Sequence, residues 1–284
     1  MSTIIDGKKI SEMVRQEYAE EIKRLAGMGV VPGLAVIIVG DDAPSKIYVR
    51  NKGIACQQVG IHSEIIEMPE ETEQSELIEK IQQLNERKDI DGILVQVPLP
   101  KHINPEVVVA SISPDKDVDA FSEINVGKIM IGRQRFLPCT PAGVIELLKR
   151  YNIEISGKEC VMVGRSDIVG KPMAMLLMQN DGTVTICHSK TKNLAEITRR
   201  ADILVVAMKK SRYIKADMVK PGAVVIDVGM NRDENGKLSG DVDFDEVSKV
   251  ASYITPVPGG VGPMTITMLL KNTITAAKHN HGIE

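Results

Sequence analysis

The chain has 284 residues and a formal net charge of −3; aromatic residues make up 3% of it, and Trp is absent. Domains usually hold roughly 100–200 residues, so this length predicts two lobes with aliphatic cores. The charge and the scarcity of aromatic rings exclude a typical nucleic-acid partner, because such surfaces are basic or stack bases on rings.

The N-terminus and the cysteines predict a cytoplasmic protein. Residues 1–6 lack the basic and apolar order of a secretory signal, and the strongest apolar run, 34–39, is too short to span a bilayer. The cysteines at 56, 139, 160 and 187 form no CxxC pair, and no His stands at metal-ligand spacing. We therefore expect free thiols, no metal site and no membrane partner.

The first half of the chain alternates between helix and strand. Asp6 is a candidate cap for a helix with apolar residues at a 3.6-residue period, ending near Gly27. Strands are predicted at 34–39, 63–67 and 93–97, with helices at about 44–58 and 73–86 between them. This βαβα order predicts an α/β fold with a mostly parallel sheet and helices on both faces.

The second half repeats the alternation after an irregular segment at 111–139, where we place the crossing between the lobes. Thr140 is then predicted to cap a helix that has Pro141 at its first position. Strands are predicted at 159–163, 183–187, 202–206 and 223–227. A last helix at about 263–277 has no strand after it, so we expect it to return to the first lobe.

A glycine turn follows the predicted strand at 159–163. Gly164 joins this strand to a helix that begins at about Val169, and Arg165 and Ser166 add side-chain donors. Backbone N–H groups and the positive end of a helix can bind a phosphate at such a turn. The alternative is a tight connection that binds no ligand.

The end of the next strand bears on the choice of nucleotide. NAD sites typically carry an acidic residue here for the ribose 2′-hydroxyl, about 20 residues past the turn. This chain has His188, Ser189 and Lys190 instead. A hydroxyl and a cation suit a 2′-phosphate, which favours NADP over NAD; the alternative is a solvated loop.

Polar residues in the first half are candidates for catalysis. Tyr48 and Lys52 are four residues apart on a predicted helix and share a face, so they could orient and hold a proton if the lysine is partly desolvated or has a neutral polar partner. Gln96 lies at the carboxyl end of a buried strand, where parallel sheets bind ligands. The alternatives are a surface lysine beside a half-buried tyrosine, a loop glutamine and, for Asp119, a solvated acidic turn.

Longer strings run in order through nearly the whole chain, and they resemble the bifunctional methylenetetrahydrofolate dehydrogenase/cyclohydrolase family. They are IDGK (5–8), PGLAVIIVGDD (32–42), YVRNK (48–52), DGILVQVPLP (91–100), KDVD (116–119), PCTPAG (138–143), VGRSDIVGKPMA (163–174), TVTICHSKT (183–191), IDVG (226–229), GDVDF (240–244) and TPVPGGVGPMTITMLLKNT (255–273).

The resemblance implies two α/β lobes, the second of them Rossmann-like, with a last helix that returns to the first. A folate-binding catalytic lobe would comprise 1–138 and 262–284, and an NADP-binding lobe 139–261. It implies oxidation of 5,10-methylenetetrahydrofolate to 5,10-methenyltetrahydrofolate with NADP, then hydrolysis to 10-formyltetrahydrofolate. It also implies a homodimer and a role in one-carbon metabolism and purine biosynthesis.

The resemblance further implies roles for individual residues. Lys52 would activate the hydrolytic water, Gln96 would tune the lysine, and Tyr48 would align lysine and substrate. Asp119 would bind the pterin, and the remaining substrate contacts would be Val95, Pro258, Gly259 and Gly260. Cofactor contacts would be Thr140, Gly164, Arg165, Ser166, Ser189 and Met230, with Arg165 and Ser189 near the 2′-phosphate.

Some positions depart from the family pattern. Asp167 stands where Asn is usual, residues 207–212 replace a loop that usually reads Val-Gly-x-Pro, Ala120 and Ser122 replace Gly and His, and Ile54 replaces a lysine. An anion beside a phosphate is unfavourable unless it points away or caps the helix, and the lost glycine affects how closely backbone can approach a cofactor. Lys209, Lys210 and Arg212 could compensate with charge.

Three alternatives to the bifunctional enzyme follow. A monofunctional cyclohydrolase with a weakened cofactor site would be explained by Asp167 and the 207–212 loop. A dehydrogenase for small hydroxy or amino acids would use the glycine turn but leaves Tyr48, Lys52 and Gln96 unexplained. A binding module whose catalysis has decayed would bind folate or nucleotide without turnover.

Overall fold

The structure is a computed structural model that describes residues 2–232 and 236–283. In chain order its elements are β1 (Thr3–Ile4), α1 (Gly7–Gly27), β2 (Gly33–Val39), α2 (Ala43–Val59), β3 (His62–Met68), α3 (Gln74–Glu86), β4 (Gly92–Val95), α4 (Pro105–Ser111), α5 (Glu123–Met130), α6 (Cys139–Arg150), β5 (Glu159–Val163), α7 (Gly170–Gln179), β6 (Thr183–Cys187), α8 (Leu194–Thr198), β7 (Ile203–Val206), a 3₁₀ turn (Ala216–Met218), β8 (Val224–Asp227), β9 (Asn231–Arg232), β10 (Leu238–Ser239), α9 (Phe244–Val247), β11 (Tyr253–Ile254) and α10 (Val261–Asn280).

Contacts divide the chain into two units. We call Met13–Cys139 with Ile266–Glu284 the first unit, and Met1–Glu12 with Thr140–Thr265 the second unit. The sequence-based division placed residues 1–12 in the first lobe. In the structure β1 pairs in parallel with β11, and the Ile5 N–H donates to the Ile254 carbonyl at 2.8 Å, so these residues cluster with the second unit.

The first unit contains a parallel sheet of three strands in the order β3-β2-β4. Every residue of β2 and β4 is buried, because aliphatic side chains cover both faces of the strands. The strand predicted at 93–97 ends at Val95. Pro98 and Pro100 have no N–H to donate, so the chain that follows cannot extend the ladder.

The second unit contains a parallel sheet of six strands in the order β1-β11-β8-β7-β5-β6. Strand β5 lies between β6 and β7, so the chain order reverses there, as in a Rossmann-like sheet. The predicted strands at 159–163 and 183–187 have these bounds in the structure. The predicted α/β fold class is therefore confirmed.

The last helix confirms its predicted return to the first lobe. Residues of α10 from Ile266 onward cluster with the first unit. The Asn272 side-chain amide donates to the carbonyls of Val118 at 2.7 Å and Leu137 at 2.8 Å. These bonds join residues more than 130 positions apart, and they hold α10 beside the turn that ends in Asp119.

One local expectation about residues 111–140 was wrong, namely the cap at Thr140, and the change of unit lies at the end of the segment where we placed the crossing. The segment 111–139 contains α5 and belongs wholly to the first unit, and the change of unit falls between Cys139 and Thr140. Helix α6 begins at Cys139, so Thr140 lies in its first turn instead of capping it. The Thr140 hydroxyl pairs with that of Thr265 at 3.0 Å.

All four cysteines are buried free thiols. Within residues 2–232 and 236–283, no helix is long and apolar enough to cross a bilayer. Over the same residues, no group of three or more His, Cys, Asp or Glu side chains could hold a metal ion.

Candidate active site

Helix α2 carries Tyr48 and Lys52 on one face. Its first turn is fixed by Asp42, whose carboxylate accepts hydrogen bonds from the Ser45 N–H at 2.9 Å and the Ser45 hydroxyl at 2.6 Å. The helix ends at Val59 and is capped by Gly60, which has a left-handed φ of 91°. The four-residue spacing therefore places both side chains on successive turns of a regular helix.

Lys52 is hydrogen-bonded to Gln96. The lysine Nζ donates to Gln96 Oε1 at 2.9 Å, and Gln96 Nε2 donates to the Val97 carbonyl at 2.6 Å. The Gln96 N–H donates to the Ile37 carbonyl of β2 at 2.8 Å, which fixes the backbone at the end of β4. The lysine thus has a neutral polar partner, which is one of the two conditions predicted for its handling of a proton.

Tyr48 is 39% exposed, and burial of the rest of the side chain raises the pKa of its phenol. The hydroxyl is therefore protonated at neutral pH and can donate a hydrogen bond. Val95, the last residue of β4, is buried.

The two acids of the 115–119 turn have different environments. Asp117 is buried and accepts hydrogen bonds from the Ser122 N–H and the Asn125 side chain, both at 2.9 Å. Its carboxylate therefore holds the turn together. Burial raises the pKa of Asp119 to about 6, while the positive charge of Lys52 opposes this shift.

Three positions that depart from the family pattern lie in the first unit. Ala120 adopts a φ of 58°, the left-handed conformation that glycine adopts at little cost, and the family usually has glycine here. The Ser122 hydroxyl caps α5 by accepting the Asn125 N–H at 3.3 Å. The Ile54 side chain is 43% exposed.

In the second unit, the glycine turn is packed against neighbouring strand ends. The Gly164 N–H donates to the Cys187 carbonyl at the end of β6, at 2.8 Å. A Cβ on Gly164 would lie 2.3 Å from the Ala207 carbonyl oxygen, and one on Gly170 would lie 2.5 Å from the Gly164 oxygen. Neither position therefore has room for a side chain. Sequence reasoning missed Gly170, although its place in VGRSDIVGK was a usable signal.

Arg165 and Ser166 follow Gly164 and are both exposed. The Ser166 Oγ accepts the Gly170 N–H at 3.3 Å, which leaves its own proton for another acceptor. The Asp167 carboxylate pairs with Lys171 one turn later, and its side chain is 83% exposed. The unusual anion of this turn is therefore directed to solvent and to a cation.

Ser189 is exposed just after the end of β6. The turn is closed by the Thr191 hydroxyl, which accepts the His188 N–H at 2.8 Å. The Gly164 N–H is hydrogen-bonded to Cys187, the last residue of β6. Arg165 and Ser189 therefore follow the ends of two neighbouring strands, β5 and β6.

Two buried acids of the second unit organise its strand ends, and sequence reasoning missed both. Asp227 accepts three backbone N–H bonds, from Gly229, Asp241 and Val242, at 2.8–3.0 Å. Burial raises the pKa of Asp227 to about 6, and these N–H bonds oppose the shift. Asp241 binds the backbone of the 207–212 loop. The motifs IDVG and GDVDF were the available signals.

The remaining candidates also lie in the second unit. The Gly259 carbonyl accepts the Lys8 N–H at 3.0 Å, and a Cβ on Gly7 would lie 1.7 Å from the Gly260 oxygen. Met230 is 52% exposed after β8. Of the predicted residues, Tyr48, Lys52, Val95, Gln96 and Asp119 lie in the first unit, where Lys52 and Gln96 are hydrogen-bonded to each other. The second unit holds Pro258, Gly259, Gly260 and all six cofactor candidates, Thr140, Gly164, Arg165, Ser166, Ser189 and Met230.

Two family models match this chain. "Tetrahydrofolate dehydrogenase/cyclohydrolase, catalytic domain" matches residues 5–119, and "Tetrahydrofolate dehydrogenase/cyclohydrolase, NAD(P)-binding domain" matches residues 138–281. Among individual proteins, the "Bifunctional protein FolD" of Lysinibacillus sphaericus (strain C3-41) is 58% identical over 278 residues, which is 98% of each chain.

Solved structures agree with the sequence matches. The bifunctional FolD methylenetetrahydrofolate dehydrogenase/cyclohydrolase of Campylobacter jejuni is 49% identical, with a TM-score of 0.97 over 98% of this chain and 99% of that one. The Trypanosoma brucei enzyme, solved with NADP cofactor and an inhibitor, is 41% identical, with a TM-score of 0.93 over 98% of each chain. The two domain matches and the identity over nearly the full length show that this chain belongs to the tetrahydrofolate dehydrogenase/cyclohydrolase family.

Proposed function

We propose that this chain oxidises 5,10-methylenetetrahydrofolate to 5,10-methenyltetrahydrofolate with NADP, and then hydrolyses the product to 10-formyltetrahydrofolate. The observation that carries the hydrolytic half is the Lys52–Gln96 hydrogen bond of 2.9 Å. Both family domains are matched in one chain, so the protein is a bifunctional, NADP-dependent dehydrogenase and cyclohydrolase.

Lys52 is the proposed proton-handling group of the hydrolysis. Water must lose a proton as it attacks the methenyl carbon, and Lys52 in its neutral amine form would accept that proton and become the ammonium ion. Gln96 fixes the direction of the lysine because its amide is itself bonded to Val97. Tyr48, protonated at neutral pH, would donate a hydrogen bond that aligns substrate and lysine.

Asp119 is the proposed pterin-binding residue. The amino and ring N–H groups of a pterin are donors, and an ionised carboxylate accepts two such bonds. Val95, Pro258, Gly259 and Gly260 are the other residues proposed to contact the substrate.

The donor set of the second unit fits NADP. NADP supplies the hydride acceptor, so the protein mainly needs to position it. Arg165 and Ser189 would bind the 2′-phosphate, because no acid follows β6. Gly164, Ser166, Thr140 and Met230 would make the other cofactor contacts.

The position of Asp167 supports the bifunctional enzyme over a monofunctional cyclohydrolase. Its charge is paired with Lys171 and directed to solvent, so it does not add an anion to the proposed phosphate site. No comparison favours the monofunctional alternative.

Replacing Lys52 by methionine separates the two reactions. The variant keeps a side chain of similar length but cannot accept a proton. We expect Lys52→Met to retain hydride transfer to NADP⁺ and to lose about 10²-fold or more of the hydrolysis of added methenyltetrahydrofolate. NADPH absorbance measures the first activity, and decay of methenyl absorbance measures the second.

Lys46→Met, on the same helix, serves as the control and should retain both activities, since Lys46 pairs with Asp41 on the surface. Equal loss of both activities in Lys52→Met would contradict the division of roles. A wild-type protein that hydrolyses methenyltetrahydrofolate but reduces neither NADP⁺ nor NAD⁺ would contradict the dehydrogenase half.

A homodimer is a further part of the proposal. Strand β3 is at the edge of the first unit's sheet, and Ile65 on β3 and Ile54 on α2 are 41% and 43% exposed. Edge strands with apolar side chains are common association surfaces. We expect light scattering to give twice the chain mass, and Ile65→Asp to shift the protein to monomer, whereas the exposed Ile131→Asp should leave it dimeric.

We also propose a cytoplasmic location, because buried free thiols suit a reducing compartment. The formyl product fits a role in purine biosynthesis. In this proposal the first unit is the folate-binding catalytic lobe and the second unit binds NADP.

A further inference from the structure

The loop at 207–212 lies at the point of the second unit where a parallel sheet binds its ligand. Strand β5 has β6 on one side and β7 on the other, so the topological switch point falls beside β5. The loop leaves the carboxyl end of β7. Its first residue, Ala207, donates its N–H to the Val163 carbonyl at 2.8 Å, and its own carbonyl packs on Gly164.

The backbone of this loop is wrapped around one buried carboxylate. Asp241 is 0% exposed, and it accepts the N–H groups of Met208 at 2.6 Å, Lys209 at 3.2 Å and Lys210 at 2.6 Å. A fourth bond comes from the Asn231 side chain at 2.9 Å. Four donors on one carboxylate fix the loop in a single conformation.

Most side chains of the loop have partners within the unit. Met208 packs against the core, Lys210 lies 4.8 Å from the centre of the Tyr213 ring, Ser211 pairs with Ser239, and Arg212 lies 3.8 Å from Asp245. The Lys209 side chain is exposed and, among the described residues, makes no hydrogen bond or ion pair.

Lys209 also has a strained backbone. Its φ is 58°, in the left-handed region, where a long side chain is disfavoured relative to glycine. Strain of this kind persists where the surrounding structure enforces it, and it concentrates at functional sites. Asp241 enforces it here, so the loop keeps a cation at a position where glycine would be more stable.

We propose that Lys209 binds the pyrophosphate of the dinucleotide cofactor. This inference rests on the proposed dehydrogenase function. The pyrophosphate of a Rossmann-like site lies at the glycine turn after the first strand, and Ala207, two residues before Lys209, contacts Gly164 of that turn. The proposed 2′-phosphate contact, Ser189, leaves β6 on the opposite side of β5. Lys209 therefore serves NADP and NAD equally, whereas Arg165 and Ser189 select between them.

The test compares three variants with one matched control by calorimetric titration of NADP⁺ and of NAD⁺. Lys209→Gln removes the charge, Lys209→Gly removes both the charge and the strain, and Lys209→Arg keeps the charge. Lys158→Gln is the control, because Lys158 is exposed just before β5, at the opposite end of that strand.

We expect Lys209→Gln and Lys209→Gly to weaken both cofactors by the same factor, about threefold to tenfold, with less difference at high salt. Lys209→Gly should also raise Tm by roughly 2–4 °C through relief of strain. Lys209→Arg and Lys158→Gln should bind like the wild type.

Wild-type affinity in Lys209→Gln would overturn the proposal, and a loss confined to NADP⁺ would overturn the pyrophosphate assignment. Binding is measured without turnover. A failure of the proposed dehydrogenase activity is therefore recognised separately, as absence of cofactor reduction by wild-type protein.

Discussion

At the scale of single residues, two carboxylates of one turn serve different purposes. Asp117 accepts hydrogen bonds from the chain that follows it, whereas Asp119 has a pKa that burial raises and the positive charge of Lys52 lowers. Burial makes ionisation of Asp119 less favourable than it is in water, and hydrogen-bond donors of a bound pterin would stabilise the ionised carboxylate.

The pKa of Asp119 predicts an acid limb in the activity profile. Below about pH 6 the carboxyl takes up a proton and can no longer accept two pterin bonds. We expect kcat/KM for methylenetetrahydrofolate to fall by about tenfold per pH unit below that value. In Asp119→Asn, kcat/KM at pH 7.5 should be about 10- to 100-fold lower, and the limb near pH 6 should be absent. A limb unchanged in the variant would assign this ionisation to another group.

The raised pKa of Asp119 also predicts how stability depends on pH. Its contribution to stability falls as the pH rises, whereas activity falls as the pH drops. The folded-state pKa of Asp119 lies above its ordinary value of 3.8, so protonation favours the folded state. This contribution is fully present below pH 3.8 and is lost as the pH rises through about 6. Asp119→Asn should therefore raise Tm relative to wild type at pH 8, and the difference should vanish near pH 3.5. Thermal unfolding at both pH values measures it.

Some of these residues could be identified from the sequence, and others could not. Tyr48 and Lys52 could be paired because helical spacing is local, and Gln96 because a buried strand ends there. The distinction between Asp117 and Asp119 depends on which N–H groups the folded turn presents, and spacing carries no such information. Asp241 acts on a loop some 30 residues earlier, so the motif GDVDF marks its position but not the loop that it binds.

At the scale of elements, the connection between β5 and α7 is held by two glycines without space for a side chain. Gly164 has a φ of 136°, and a Cβ there would lie 2.3 Å from the Ala207 oxygen. We expect Gly164→Ala to destabilise the protein by more than about 2 kcal/mol and to weaken NADP binding. Chemical denaturation and cofactor titration measure the two effects.

Gly222→Ala is the matched control. Gly222 also has a positive φ, 83°, but a Cβ there meets nothing within 4 Å. It should cost only about 1 kcal/mol and leave NADP affinity unchanged. Similar effects of both variants would mean that backbone conformation alone, and not the close approach to Ala207, accounts for the glycine.

Element bounds were predictable where a buried apolar run stops abruptly. Strands β5 and β6 have the predicted limits because Gly164 follows the first and polar residues follow the second. The prediction for β4 ran too far because Val97 extends the apolar pattern, and the prolines that prevent pairing begin one residue later. The start of α6 was misplaced because Thr140 resembles a cap, although the helix begins one residue before it.

At the scale of the whole molecule, the return of α10 to the first lobe was predictable only because no strand follows this helix in the sequence. The Asn272 amide shows how it is held, with two donated bonds to carbonyls of the first unit. Asn272→Leu would leave the Val118 and Leu137 carbonyls without this donor. We expect a loss of about 2–4 kcal/mol in the free energy of unfolding, measured by urea denaturation.

Thr273→Val provides the comparison one residue away. Thr273 is also buried, but its hydroxyl donates to the Leu269 carbonyl within the same helix, an acceptor that the helix ladder already serves. This variant should lose less than about 1.5 kcal/mol. Equal losses would show that packing at this part of α10, and not the two long-range bonds, dominates.

The four buried thiols can report the local unfolding of each unit. Cys56 and Cys139 belong to the first unit, and Cys160 and Cys187 to the second. Burial raises the pKa of Cys56 to about 12 and that of Cys160 to about 11, so alkylating reagents meet almost no thiolate while the fold is closed. Each cysteine should therefore be modified only when its surroundings open. Mass spectrometry of the labelled peptides over time would then follow the opening of each unit separately, with no added probe and no engineered residue.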